Sequence, residues 1–137
     1  MNVIVCEQHD VEKWLKLVRW LFEGTNALII LDDCAASKDV KGRTGELVNL
    51  AFSARHMRIS VWVLTQKMTS ITASFRENVV AIVLFYTPST KTTKAILDDY
   101  AGKLSLDEYK GLVSKLKERK FSYLVLSLCN PYGVKTF

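Results

Sequence analysis

A set of short apolar runs, each closed by polar residues, constrains this chain most. Ala27–Leu31 runs into Asp32 and Asp33, Ile59–Leu64 into Thr65 and Gln66, and Val79–Tyr86 and Phe121–Leu128 follow downstream. Runs of this length with little alternation belong to strands covered on both faces, as in parallel sheets. Helical patterns lie between them. Asp10 stands as an N-cap, and Val11, Trp14, Leu15, Val18, Leu21 and Phe22 recur at spacings of three and four, predicting a helix over 10–22 with one apolar face. Gly24 is placed to end it. Further helices are expected at 46–56, 90–100 and 105–119, the last opened by Ser105 with Glu108 three residues on, a capping-box pattern. Residues 2–6 read as a short strand or its tail, 34–44 as a loop, 67–78 as a loop with a helical turn, and Pro131 to Gly133 as a turn before the tail. Strand and helix alternate, so an α/β doubly wound layer is the economical fold.

With 137 residues, 49% of them apolar, and only Gly 6 and Pro 2, the chain has the means for a single core and reads as one domain over 1–137. Disordered, collagen-like and low-complexity classes are excluded. No apolar run approaches the roughly 18–20 residues of a membrane span, so no membrane partner is expected. The first residues lack the basic and apolar regions of a signal peptide. Three cysteines without CxxC spacing argue against a disulfide framework or a zinc site, and point to a reducing cytoplasm or nucleus. His9 and His56 have no ligand spacing between them. The net charge of +5 is uneven: residues 1–40 sum to −3, while 41–80 and 81–137 each sum to +4. A basic C-terminal two-thirds suits an anionic partner such as nucleic acid or nucleotide phosphate, although Lys-rich helix faces are also simply solvated.

Ligands of open parallel sheets bind at the carboxyl ends of the strands, which directs attention to the two polar tips. An apolar run followed by two acids has the form of a Walker B strand. There the first acid holds Mg²⁺ and the second orients or deprotonates the water attacking a γ-phosphate. A strand ending in an Asp-containing turn has the same form without that chemistry. The phospho-acceptor pocket of a receiver domain also uses paired acids, but it needs a third Asp on a later strand, and the next strand here ends in Thr65 and Gln66.

Four segments then carry a resemblance: LIILDDC at 28–34, LVNLAFSARH at 47–56, ISVWVLTQ at 59–66 and FRENV at 75–79. Together they resemble the second half of a viral DNA-packaging ATPase of the FtsK–HerA superfamily, the poxvirus, giant-virus and Polinton-transposon type. The resemblance spans roughly 10–130. It implies a RecA-like P-loop NTPase core fragment, an α/β fold with a mainly parallel sheet and flanking helices, working as a ring that translocates double-stranded DNA by ATP hydrolysis. By position it makes Asp32 the Mg²⁺ ligand, Asp33 the catalytic acid and Gln66 the γ-phosphate sensor. Asp32, Asp33 and Gln66 together would contact Mg-ATP. Arg55 and Arg76 become candidate arginine fingers acting on a neighbouring subunit, each with a plainer reading as a helix-end or Glu77-paired arginine. Asn78 reads as a cap, Cys34 as a packed thiol whose pKa the two carboxylates raise, and Trp14, Trp20 and Trp62 as core or subunit contacts. Arg43, Arg55, Arg58 and Lys67 form a possible phosphate-facing set.

One departure stands against these matches. The phosphate loop GxxxxGK(S/T) is absent: Gly24, Gly42 and Gly45 are the only glycines before residue 100, and none precedes Lys-Ser or Lys-Thr. The chain therefore resembles a packaging ATPase without its N-terminal half, expected to be hydrolytically silent or very weak and, with a sheet edge uncovered, to self-associate. A non-catalytic DNA- or subunit-binding module, or a viral or transposon remnant, is the alternative. A cytoplasmic, nuclear or virion-associated setting follows from the resemblance.

Overall fold

A computed structural model describes residues 4–6, 9–34, 45–100, 105–129 and 133–136. The chain divides into two compact units, Met1–Asn78 and Val79–Phe137. Residues 35–44 of the loop expected over 34–44, Arg43 among them, and the turn residues Pro131 and Tyr132 lie outside the described residues, as do residues 2 and 3 of the expected first strand. Ile4, Val5 and Cys6 are exposed and in no strand, which corrects that expectation over 4–6.

The first unit begins with α1 (Val11–Phe22), followed by β1 (Ala27–Asp32), α2 (Glu46–Ser53) and β2 (Ile59–Leu64). A 3₁₀ turn at Met68–Ser70 and the four-residue α3 (Ala73–Arg76) complete it. Gly24, at φ 78°, supplies the left-handed residue that stops α1, while Thr25 N–H donates to Phe22 O at 3.0 Å. Asp10 sits at the N-cap but is itself left-handed, at φ 64°, and its side chain makes no cap bond. Its carbonyl accepts from Trp14 N–H at 3.0 Å.

The expected apolar face of α1 is only partly inward. Val11 and Leu15 are buried, whereas Trp14 is 38% and Leu21 50% exposed. The helix rotates so that Arg19, at position i+4 from Leu15, meets α2. There Arg19 Nε lies 2.8 Å from Glu46 Oε1, and Glu46 is 2% exposed. The Glu46 N–H donates to both Glu12 oxygens, at 3.0 and 2.9 Å, and Asn49 Nδ2 donates to Glu46 Oε2 at 3.2 Å. Gly45 has no side chain to cap α2, so Glu12, from the preceding helix, takes that place. Leu47 and Leu50, both fully buried, anchor the helix; each contributes about 1.5–3 kcal/mol through apolar burial.

β1 and β2 are parallel and in register from Ala27↔Ile59 to Asp32↔Leu64. Ile59 and Leu31 are buried, but Leu28, Ile30, Trp62 and Leu64, on the alternate face, are 45–61% exposed. The expectation of strands covered on both faces is thus corrected: the pleat sends alternate residues to opposite faces, and the described residues bury only one. Trp62 is accordingly not a core residue.

The second unit contains β3 (Ala81–Phe85), α4 (Thr90–Tyr100), α5 (Leu106–Glu118), β4 (Tyr123–Ser127) and β5 (Gly133–Thr136). Its three strands are antiparallel, in order β3-β4-β5. The fold class is α/β as expected, but the sheet is not mainly parallel: among the described residues only β1 and β2 pair in that sense. The apolar run at 79–86 does not make a strand buried on both sides, because Val83 and Phe85 are 53% and 61% exposed. Phe85 pairs across the ladder with Tyr123, ring centroids 5.9 Å apart. α5 packs on β4, whose Leu124 and Leu126 are fully buried. Its expected capping box is present: Glu108 N–H donates to Ser105 Oγ at 3.3 Å and Ser105 N–H to Glu108 Oε2 at 2.8 Å. The bond from the Ser105 N–H, with a second from its hydroxyl at 2.8 Å, holds the Glu108 carboxyl below its ordinary pKa. Gly133, expected in a turn, instead begins β5.

Candidate functional site at the strand tips

The register of β1 against β2 brings the two polar ends side by side. Asp32 lies opposite Leu64, and Asp33 N–H donates to Leu64 O at 3.3 Å, so the acid pair of one strand neighbours Thr65 and Gln66 of the next. Asp33 is left-handed at φ 51°, a conformation Asp tolerates better than most residues; the chain turns away there, leaving both carboxylates and Gln66 exposed. The Cys34 thiol donates to Asp32 O at 3.2 Å. Burial first, and then the charges of Asp32 and Asp33, push its pKa up, which disfavours the thiolate.

Thr65 ties this tip to the loop that follows. Its Oγ1 accepts from Lys67 N–H at 3.1 Å and lies 3.4 Å from Ser70 Oγ. Thr72 caps α3 by accepting from Phe75 N–H at 3.4 Å. Asn78 closes the same helix, its Nδ2 donating to Ser74 O at 2.8 Å, which is the capping role expected of it. Arg76 is half-buried at the end of α3.

Of the expected basic set, the described Arg55 and Arg58 do not share a surface with Lys67. Arg55 and Arg58 are exposed in the turn between α2 and β2, where Arg58 O accepts from Ala27 N–H at 3.3 Å. That turn is at the start of the strands, whereas Lys67 follows their end. Six strand residues at about 3.3 Å each separate the two ends by roughly 17–20 Å. Arg55 therefore cannot reach the acids of its own chain.

Among the described residues, no group of three or more His, Cys, Asp or Glu is placed to enclose a metal ion, and no helix is long and apolar enough to cross a membrane. The hydroxyl-rich segment after Gln66 escaped the sequence reading. Its signal was composition: residues 65–76 hold five Ser or Thr, one Lys, one Arg and no acid.

Parallel strands with an acid pair and a Thr-Gln pair at adjacent carboxyl ends, set among helices, are parts of a mixed α/β fold. Neither a protein-family model nor a curated protein sequence matches the chain. Solved structures do. The genome-packaging NTPase B204 from Sulfolobus turreted icosahedral virus 2, in complex with sulfate, matches with a TM-score of 0.73 and 17% identity, over 98% of this chain and 64% of that one. Its complex with ATP-gammaS gives 0.70 and 16% over the same shares. The DNA-packaging ATPase B204 from Sulfolobus turreted icosahedral virus gives 0.71 and 19%, over 98% and 63%. At these identities the likeness is one of fold, and the chain spans about 64% of the length of these neighbours.

Proposed function

We propose that the chain is part of an ATP-driven DNA-packaging or translocating motor and contributes the acid pair and the sensor glutamine of its nucleotide site. The observation that carries this reading is the parallel register setting Asp32 and Asp33 beside Thr65 and Gln66. The donor set suits Mg²⁺, which is held by one or two carboxylates together with phosphate oxygens and waters rather than by an all-protein cage. Asp32 would hold the ion, which when bound would supply charge neutralisation at the phosphates. Asp33 accepts a hydrogen bond from the attacking water and orients it; with one methylene fewer than Glu, it reaches less far. The Gln66 carboxamide contacts the terminal phosphate or that water. Arg55, at the far end of the strands, is the candidate finger acting on a neighbouring subunit, and Arg76 is the second. Such a group neutralises transition-state charge and is worth several kcal/mol of barrier.

The sequence holds no phosphate loop, so its own residues offer the β- and γ-phosphates no backbone cradle, and hydrolysis by the chain alone is expected to be silent or very weak. Double-stranded DNA and further copies in a ring are the partners of this reading. The missing loop favours a second one, a non-catalytic module that holds DNA or joins a ring of other subunits.

Titration with a fluorescent ATP analogue, with and without Mg²⁺ and beside Asp32→Asn, tests the first reading. Magnesium-dependent binding lost in the variant supports it. Absence of binding at millimolar nucleotide overturns it in favour of the second.

A further inference from the structure

One side of the β1–β2 pair is bare. Pleat and register put Leu28, Ile30 and Asp32 of β1 on the same side as Ser60, Trp62 and Leu64 of β2, with Ile30 opposite Trp62 and Asp32 opposite Leu64. All six are exposed, Trp62 at 61%. The other side holds the buried Leu31 and Ile59. Parallel strands are ordinarily covered on both sides by helices. The fold leaves room for such a cover, since this chain matches only 64% of the length of the B204 sulfate complex.

The bare side has the footprint of one helix. Two paired strands make a strip about 10 Å wide and roughly 17–20 Å long, the width of a single α-helix and the length of about 12–13 of its residues. Its ends also differ in charge. Asp32 and Asp33 stand at the carboxyl end with Lys67 as the opposing charge, whereas Arg55 and Arg58 flank the start with Glu23 opposing them. A helix is partly positive at its N-terminus and partly negative at its C-terminus, so it fits with its N-terminus at the acids. The α1 helix of a second copy has the length, 12 residues, and an exposed apolar stripe at Trp14, Leu17 and Leu21. Its polarity is wrong, because Asp10 and Glu12 stand at its N-terminal end and Arg19 in its last turn.

We propose that this face docks one amphipathic helix of a partner protein, about 12–13 residues long, laid along the strands with its N-terminus at Asp32 and its C-terminus at Arg58. The helix presents an apolar stripe to Leu28, Ile30, Trp62 and Leu64, and its first turn carries no acid. The motor reading plays no part in this: the shape and polarity of the face stand whether or not a nucleotide binds.

The test uses the whole chain and two fluorescein-labelled synthetic peptides of about 14 residues that share a leucine stripe at helical spacing. One has lysines in its first turn and glutamates in its last; the other has them reversed. The reversed peptide is the more stable helix alone, so a preference for the first comes from the face and not from helicity. By anisotropy, the first peptide binds about fivefold more tightly at low salt, and the margin shrinks as salt rises. Trp62→Ser and Ile30→Thr each weaken it about tenfold, while Trp20→Ser, on the exposed side of α1, leaves it unchanged. Circular dichroism checks folding, and Ile30→Thr serves if Trp62→Ser fails to fold. Binding of neither peptide, a preference for the reversed one, equal binding of the two, or binding that both face variants retain overturns the proposal. So does a dimer of the chain alone that sedimentation equilibrium detects and Trp62→Ser abolishes, because a second copy then occupies the face.

Discussion

Replacing Glu12 with Ala removes the cap of α2 from a helix away. The structure gives one donor, the Glu46 N–H, shared between both Glu12 oxygens at 3.0 and 2.9 Å, and an outer ion pair from Lys16 at 3.5 Å. A hydrogen bond to a charged group is worth about 1.5–3 kcal/mol, and an orphaned buried donor adds to the loss. The Glu12 side chain is 31% exposed, so solvent screens part of this and the lower end applies. The exposed Lys16 pair adds no more than about 0.5 kcal/mol. The expected destabilisation is therefore about 1–2 kcal/mol, a five- to thirtyfold shift in the folding equilibrium. All three tryptophans, Trp14, Trp20 and Trp62, belong to the first unit, so urea unfolding followed by their fluorescence reports on this unit alone. Lys16→Ala isolates the outer pair. Equal midpoints for Glu12→Ala and Lys16→Ala would refute the capping argument, as would unchanged hydrogen exchange at the Glu46 amide.

Other consequences are smaller in scope. Asp32→Asn or Asp33→Asn removes a charge that disfavours the Cys34 thiolate, so iodoacetamide labelling of the Cys34 peptide near pH 8, read by mass spectrometry, speeds up; an unchanged rate would separate Cys34 from the acid pair. Ser105→Ala destabilises α5 by about 1 kcal/mol and returns the Glu108 pKa towards its ordinary value by NMR titration. Because that pKa is lowered in the folded state, the carboxylate's contribution is present above the ordinary Glu range and is lost as pH falls through the folded value. Gly24→Ala meets no atom within 4 Å but must hold φ 78°, so it loses about 1 kcal/mol to backbone strain alone, measured as a lower melting temperature.

The elements that were legible in the sequence are those with local signals. β1 and β2 stand out because an apolar run stops at a polar pair, and α5 because Ser105 and Glu108 cap it from three residues apart. Gly24 announces the end of α1 for the same reason. Strand sense is not local: the run at 79–86 is as apolar as the one at 27–31, yet β3 runs antiparallel to β4. β5 has only Val134 as a large apolar residue among its four, too little to declare a strand. The exposure of Trp14 and Leu21 follows from a pairing across 34 residues, Glu12 with Glu46, which turns α1 away from its most apolar face. In the candidate site, the acids and Gln66 were visible as strand ends. The separation of Arg55 and Arg58 from Lys67 was not, because it depends on which end of β2 each residue flanks.

The central claim is that a nucleotide with its metal ion sits at the carboxyl ends of β1 and β2. Mn²⁺ in place of Mg²⁺, titrated with ATP into ¹⁵N-labelled protein, locates that ion by paramagnetic line broadening. The account predicts that the amides of Asp32, Asp33, Thr65 and Gln66 lose intensity first, that those of Arg55 to Arg58 persist longest, and that Asp32→Asn abolishes the pattern. Broadening that begins at Arg55 to Arg58, or that survives Asp32→Asn unchanged, would contradict it.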